Sequence, residues 1–242
     1  IETTYDGTGG VPVDSFFKRI FFAIYKNDFR LLLTGELTPA SRILYDRDIA
    51  TISQKLAPFI RFDKDPYLII DEGKLYWIRD GYTITNMYPY SEPFGGINYI
   101  RNSVKIVTDA YNGTTNFYIS DPEDPIIQTY AKIFSELLKP LSAMPEGIQQ
   151  HIRYPSYLFN IQAEMLALYH MENPQVFYNR EDAWSIPTEI FLGDNVAMEP
   201  YYTIMQLPGE EQSEYVLMLP FTPLNRSNMV SWLAARSDGD KY

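Results

Sequence analysis

Tyr67-Leu-Ile-Ile-Asp-Glu-Gly-Lys-Leu-Tyr-Trp-Ile78 and Val104-Lys-Ile-Val-Thr-Asp-Ala-Tyr-Asn-Gly-Thr-Thr-Asn-Phe-Tyr-Ile119 decide the reading of this chain. Both are rich in β-branched and aromatic residues, and both are split by a turn signal. In the first, Asp71-Glu72-Gly73-Lys74 joins the two runs. In the second, Asn112-Gly113 predicts a type I′ turn, whose central residues both need positive φ. The stretch Pro66–Ser120 therefore reads as two β-hairpins, and the first continues toward Tyr82-Thr-Ile-Thr85. Ile106 and Val107 point to opposite faces of such a strand.

Helical patterns flank this centre. Asp14 or Ser15 can cap a helix to Asn27 with Phe16, Phe17, Ile20, Phe21 and Ile24 at helical spacing. Phe29–Leu33 extends or restarts it. A second helix is expected over Pro39–Ala57, with Ile43, Leu44, Ile52 and Leu56 inward. Both are expected to pack on the sheet, although such an amphipathic pair can also touch a membrane surface. Asp121-Pro-Glu-Asp-Pro125 opens a helix to Leu138. Ser156–Met171 forms another, with Tyr157, Ile161, Met165 and Leu168 on its apolar stripe. A last hairpin spans Tyr201–Leu207 and Glu214–Leu219, and Asn225 or Ser227 caps a final helix to Ala235. The fold class this predicts is α+β, with antiparallel hairpins forming a sheet and helices packed against it. Residues 1–242 read as a single domain, with an exposed arm over 1–12 and a helical lead-in over 13–60.

Composition excludes several classes. Net charge is -11. That argues against a nucleic-acid partner, whose binding needs Lys/Arg clusters. There is no cysteine, so disulfides, thiolate chemistry and Cys-type zinc sites are excluded. Cysteine avoidance suits a bacterial extracytoplasmic domain. Apolar runs such as Ile20–Tyr25 fall far short of the ~20 residues that cross a bilayer. The chain starts at Ile1 and is expected to be a piece of a longer one. Its 20 tyrosines suit a tyrosine-built core, or a surface for a partner or glycan.

Candidate chemistry is sparse. Gly7–Gly10 lacks the lysine of a phosphate loop. His151 and His170 are too far apart in sequence to suggest a metal pair, and His170 falls at a helix C-terminus, where it suits the dipole. Carboxylates remain. Glu164 interrupts an apolar stripe, so it is expected to be paired with an arginine such as Arg101 or Arg180, to act as a functional acid, or to face a wet cleft. Asp71, Asp80 and Asp109 sit in the central hairpins and could join Glu164 in acid–base work. Asp121, Glu123 and Asp124 lie within four residues. They read as a helix cap, with calcium as the cation they could hold.

A longer pattern runs through Tyr76-Trp-Ile-Arg-Asp80, Asn98-Tyr-Ile-Arg-Asn-Ser-Val-Lys105, Asp109-Ala-Tyr111 and Gln162-Ala-Glu164. It continues in Phe177-Tyr-Asn-Arg-Glu-Asp182, Met198-Glu-Pro-Tyr-Tyr202 and Leu217-Met-Leu-Pro-Phe-Thr222. This is similar to the soluble region of an uncharacterised family of large multi-pass bacterial membrane proteins. The resemblance implies a location at the cell membrane, with this region extracytoplasmic. It implies the membrane-embedded remainder of the same chain as a partner, with an envelope protein or glycan as another. It brings no catalytic residues and no cofactor. The expected function is a non-catalytic binding module. The alternatives are a carboxylate-dependent cell-envelope hydrolase and a divalent-cation-binding domain.

Overall fold

The computed structural model describes residues 5–237. In chain order it runs β1 (Val11–Pro12), α1 (Phe16–Lys26), α2 (Arg30–Leu33), β2 (Arg42–Ile43), α3 (Ile49–Leu56), β3 (Arg61–Phe62), β4 (Tyr67–Asp71) and β5 (Lys74–Thr85). Then come β6 (Tyr99–Asp109), β7 (Thr115–Ile119), α4 (Pro125–Ile133), β8 (Leu138–Pro140), α5 (Glu146–Gln149), α6 (Ser156–Tyr169) and α7 (Pro174–Asn179). The last elements are β9 (Trp184–Ser185), β10 (Thr188–Phe191), β11 (Asp194–Ala197), β12 (Tyr201–Gln206), β13 (Ser213–Pro223) and β14 (Ser231–Arg236). The α+β class holds.

The central sheet is the predicted pair of hairpins, enlarged. β5 pairs with β6 along one edge, and on its other edge β4 covers its first half while β3 covers its second. β7 pairs with β6, and β8 joins β7 in parallel after the α4 crossover. The first turn has Glu72 and Gly73 both at positive φ, as a type I′ turn requires. The second differs from expectation. Only Gly113 has positive φ there, and the strands are joined by five residues. Asp109 is the reason: its carboxylate accepts from the Tyr111 and Asn112 amides at 2.8 and 2.7 Å and winds the chain into a wider loop.

Both faces of this sheet are covered. Tyr67, Ile69, Ile78, Val107 and Tyr118 pack with Met144, Ile148 and Ile152 around α5. On the opposite face Val104, Ile106 and Phe117 pack with Ala57, Ile60, Ile127 and Leu138. Ile106 and Val107 thus serve different cores, as strand alternation demands. A third core joins α6 to the second sheet, β12–β13–β14, through Phe159, Ala163, Ala167, Leu217, Leu219 and Phe221.

Several expectations fail, each for a local reason. The helix expected over Pro39–Ala57 shrinks to α3. Arg42–Ile43 instead pairs with Val11–Pro12, Asp46 takes a left-handed φ, and the Asp48 carboxylate caps at the Thr51 amide, 2.8 Å away. Of its supposed inward residues, Leu44 and Leu56 are exposed. The 13–60 lead-in is therefore only partly helical. The arm over 1–12 is not free where described. Arg42 donates to the carbonyls of Thr8, Gly9 and Gly10, and the Thr8 amide donates to Asn112 Oδ1 at 2.9 Å. Gly9 lies so close to the Asn112 backbone that a Cβ there would meet its carbonyl at 2.1 Å. Residues 1–4 of that arm and 238–242 of the tail lie outside the described residues.

The final helix is a strand. Ser231–Arg236 pairs with β13 from Phe221 back to Val216 and drops Leu233 and Ala235 into the third core. Two alanines favour a helix by a few tenths of a kcal/mol each, which a full ladder and burial override. α4 also stops early, so that Leu138 can pair beside Phe117.

The largest reversal is at α1. Ser15 caps it as expected, accepting from the Lys18 amide at 3.4 Å. Yet the buried residues are Phe22 and Ala23. Phe16, Phe17, Phe21 and Ile24 face water. The helix is held by its narrower side, and its apolar stripe points outward.

Candidate functional site

The residues singled out for chemistry are mostly spent on the fold. Asp80 and Lys105 stand opposite each other on β5 and β6. Their side chains form an ion pair at 2.5 Å and are almost wholly buried. Burial pushes the Asp80 carboxyl up, against the pull of the lysine. Lys105 also donates to the Arg153 carbonyl at 3.3 Å.

Arg153 continues this network toward the second sheet. Its amide donates to the Tyr67 hydroxyl at 3.1 Å. Its guanidinium lies 4.3 Å from the Tyr67 ring centre, 5.5 Å from that of Tyr202 and 5.9 Å from that of Tyr215. This is an aromatic cage of the kind that receives cations, and the protein's own arginine fills it. Burial and the nearby Asp80 charge push the Tyr67 and Tyr202 hydroxyls well above their ordinary range. Tyr202 donates to the Tyr154 carbonyl at 2.6 Å and so clamps β12 to the start of α6. Part of the tyrosine abundance is thereby structural. The sequence shows no signal for the cage, because its members come from four separate segments.

Asp124 is fully buried. It caps α4 through the Ile126 and Ile127 amides at 3.1 and 3.3 Å. It also accepts from Thr83 at 2.5 Å, Ser103 at 2.6 Å and Tyr99 at 2.6 Å. Burial alone would raise its pKa, but the Ser103, Thr83 and Tyr99 hydroxyls and the Ile126 amide outweigh that and hold it below 3.8. Tyr99 is in turn pushed up to about 12, by burial first and then by Asp124. The capping reading of the acidic triplet fits this geometry. Asp121 pairs with Arg101 at 2.9 Å, and Glu123 is exposed. Among the described residues, no group of three His, Asp or Glu side chains is placed to hold a metal ion.

The remaining candidates do not converge. Asp109 braces its own loop. Burial would raise its pKa, and the hydrogen bonds from Asn112 and Tyr111 bring it below the usual value. Asp71 packs against the backbone of Gly147. Glu164 is exposed, not buried in a stripe. α6 buries Phe159, Ile161, Ala163 and Ala167, a face rotated away from the one expected. Small alanines let the helix approach the sheet, so they outcompete the larger residues for that side. Arg101 is engaged with Asp121, and Arg180 ends α7 in a left-handed conformation. Glu164→Gln should therefore leave stability within about 0.5 kcal/mol. A loss above 1 kcal/mol in a denaturant titration would contradict this placement. His170 takes its expected helix-end role, with Nδ1 2.8 Å from the Leu166 carbonyl and its ring stacked 3.6 Å from Trp184.

What the structure leaves open lies outside. The α1–α2 face exposes Phe17, Phe21, Ile24, Phe29 and Leu33. β10 and β11 form a two-stranded arm paired only with each other among the described residues. Every residue of both strands is exposed. Its tip, Ile190-Phe191-Leu192-Gly193, turns through positive φ at Leu192 and Gly193. Leu192 is 92% exposed.

The model of the Uncharacterised protein family (UPF0182) matches residues 1–242. The chain belongs to the UPF0182 family. A UPF0182 protein of Moorella thermoacetica is 57% identical over 243 residues, covering 100% of this chain and 27% of that relative. One from Pelotomaculum thermopropionicum is 56% identical, with the same coverage. One from Methanospirillum hungatei is 49% identical over 249 residues, covering 100% of this chain and 28% of the relative. The chain thus spans about a quarter of the length of the curated UPF0182 relatives it matches. No solved structure matches it. Among the described residues, no helix is long and apolar enough to cross a membrane.

Proposed function

We propose that this UPF0182 region is a non-catalytic, extracytoplasmic binding module of a membrane protein. The observation that carries the reading is the β10–β11 arm. An isolated two-stranded hairpin is marginal in water, and its edges and apolar tip invite a partner. The interior supports the same reading from the other side. Asp80 and Asp124 are committed to the fold, and Arg153 occupies the aromatic cage. The partner is the rest of the UPF0182 chain, which makes up most of each relative's length.

The test uses the full-length protein in its own membranes, with a photo-crosslinking residue at Phe191 or, as control, at Glu164. The expected outcome is a crosslink from position 191 to a distant segment of the same chain, well above the level at 164. Equal labelling at the two positions would overturn the reading.

A further inference from the structure

We propose that the outward face of α1–α2 is a docking surface for an anionic lipid membrane. It shares no residue with the β10–β11 arm, so either surface can fail its test without the other.

The first observation is the inverted helix. α1 buries Phe22 and Ala23 and leaves Phe16, Phe17, Phe21, Ile24 and Tyr25 exposed, with Phe17 at 82%. Past the Asn27 turn Phe29 and Leu33 are exposed as well, Leu33 at 86%. Scattered exposed apolar residues are ordinary, but Phe17, Phe21 and Ile24, four and three residues apart on one side of α1, form a run of the kind that marks a contact site.

The second observation is charge. The chain carries a net -11. Between residues 14 and 33, however, the four basic residues Lys18, Arg19, Lys26 and Arg30 outnumber the two acidic residues Asp14 and Asp28. α1 itself contains no acidic residue. Lys26 and Arg30 are exposed beside the apolar run. Lys26 lies 4.9 Å from the ring centres of both Tyr25 and Tyr45, so its charge sits at the flank of the face. Lys18 is tied to Asp14 at 2.8 Å, and Arg19 donates to the Leu37 carbonyl at 3.0 Å. Both hold the helix in place. An acidic protein with a local basic excess around an aromatic-rich apolar helix matches an interfacial helix on anionic lipid. The 11-residue α1 is too short to span a bilayer and long enough to lie along its surface.

The apolar sector would enter the headgroup boundary while Lys26 and Arg30 reach out to phosphates along their flexible stems. The rest of the acidic chain would be kept off the surface. This sets the orientation of the domain as well as its affinity.

The experiment measures co-sedimentation of the 242-residue chain with vesicles of pure phosphatidylcholine and of phosphatidylcholine with a third phosphatidylglycerol. Wild type should bind the anionic vesicles and bind the neutral ones far more weakly. F17S/F21S should abolish binding to both, with its melting temperature recorded alongside. K26Q/R30Q, both at exposed positions, should weaken binding to the anionic vesicles on the order of tenfold, with only the small melt decrease that follows from losing the Lys26 contacts to Tyr25 and Tyr45. Raising salt to 0.5 M should act in the same direction as K26Q/R30Q. Absence of sedimentation with either vesicle would overturn the proposal. So would equal binding to both, or a concentration-dependent dimer that F17S/F21S dissolves.

Discussion

Lys105→Met should destabilise the domain by about 3–5 kcal/mol at neutral pH, because it leaves the Asp80 carboxylate buried without its counter-ion. For a chain of this size that corresponds to a melting shift of about 6–20 °C. The loss should depend on pH in a direction that the Asp80 environment fixes. Burial already raises the Asp80 pKa above 3.8 in the folded state. The folded chain therefore holds that proton more tightly than the unfolded chain does. A group of this kind contributes most below its unfolded pKa, and its contribution is lost as pH rises through the raised folded value. Removing the lysine raises it further. The Lys105→Met defect should thus be smaller at pH 5 than at pH 7. The double variant Asp80→Leu/Lys105→Met should recover most of the loss, since apolar groups of similar volume replace a buried pair at little cost. Thermal melts of the three variants at the two pH values decide this. A defect below 1 kcal/mol for the single variant would show that the pair is not buried as described.

Asp124→Ala carries the second large effect, about 3–4 kcal/mol. It removes a helix cap worth about 1 kcal/mol. It also removes the carboxylate that accepts from three hydroxyls, but Thr83 and Ser103 keep each other as partners at 3.1 Å, so the further loss is about that of one hydrogen bond to a charged group, roughly 1.5–3 kcal/mol. Here the pH sign is opposite. The Asp124 pKa is lowered in the folded state. Its contribution is therefore complete above the unfolded value of 3.8 and disappears as pH falls through the lowered one. Wild type should lose stability on acidification through that window, and Asp124→Asn should flatten the loss while restoring part of the cap. Urea midpoints between pH 2 and 6 measure both. An unchanged acid slope in Asp124→Asn would remove Asp124 as the source.

The two hairpins were legible because strand alternation and turn chemistry are local. Glu72-Gly73 states its turn in two residues, and Ile106 and Val107 state two faces. The acidic triplet was legible as a cap for the same reason, since Asp124 acts on amides two and three residues away. What failed depended on distant partners. Ser231–Arg236 has a helix former's composition and becomes a strand only because β13 offers a free edge. Glu164 looks buried if α6 is phased by its largest residues, but the third core selects Ala163 and Ala167. The α1 stripe has the correct period. No periodicity tells which side of a helix meets the protein and which side is left for something else. The Lys105–Asp80 pair and the Arg153 cage are invisible in the same way, because they join residues dozens of positions apart.

The order of strands in the central sheet has a consequence for biogenesis. β4, β5, β6 and β7 pair in sequence order as a meander that ends at Ile119, to which β3 adds on the β5 edge and β8 adds only after the α4 crossover. Local pairings of this sort form early and fast. The Arg153 cage cannot assemble until Tyr202 and Tyr215 have been made, nor can the third core close before β13 exists. During synthesis this meander can therefore pair while Lys105 still lacks the Arg153 carbonyl to which it donates in the finished fold. The last third of the chain is thus added to a sheet whose central strands can already have paired.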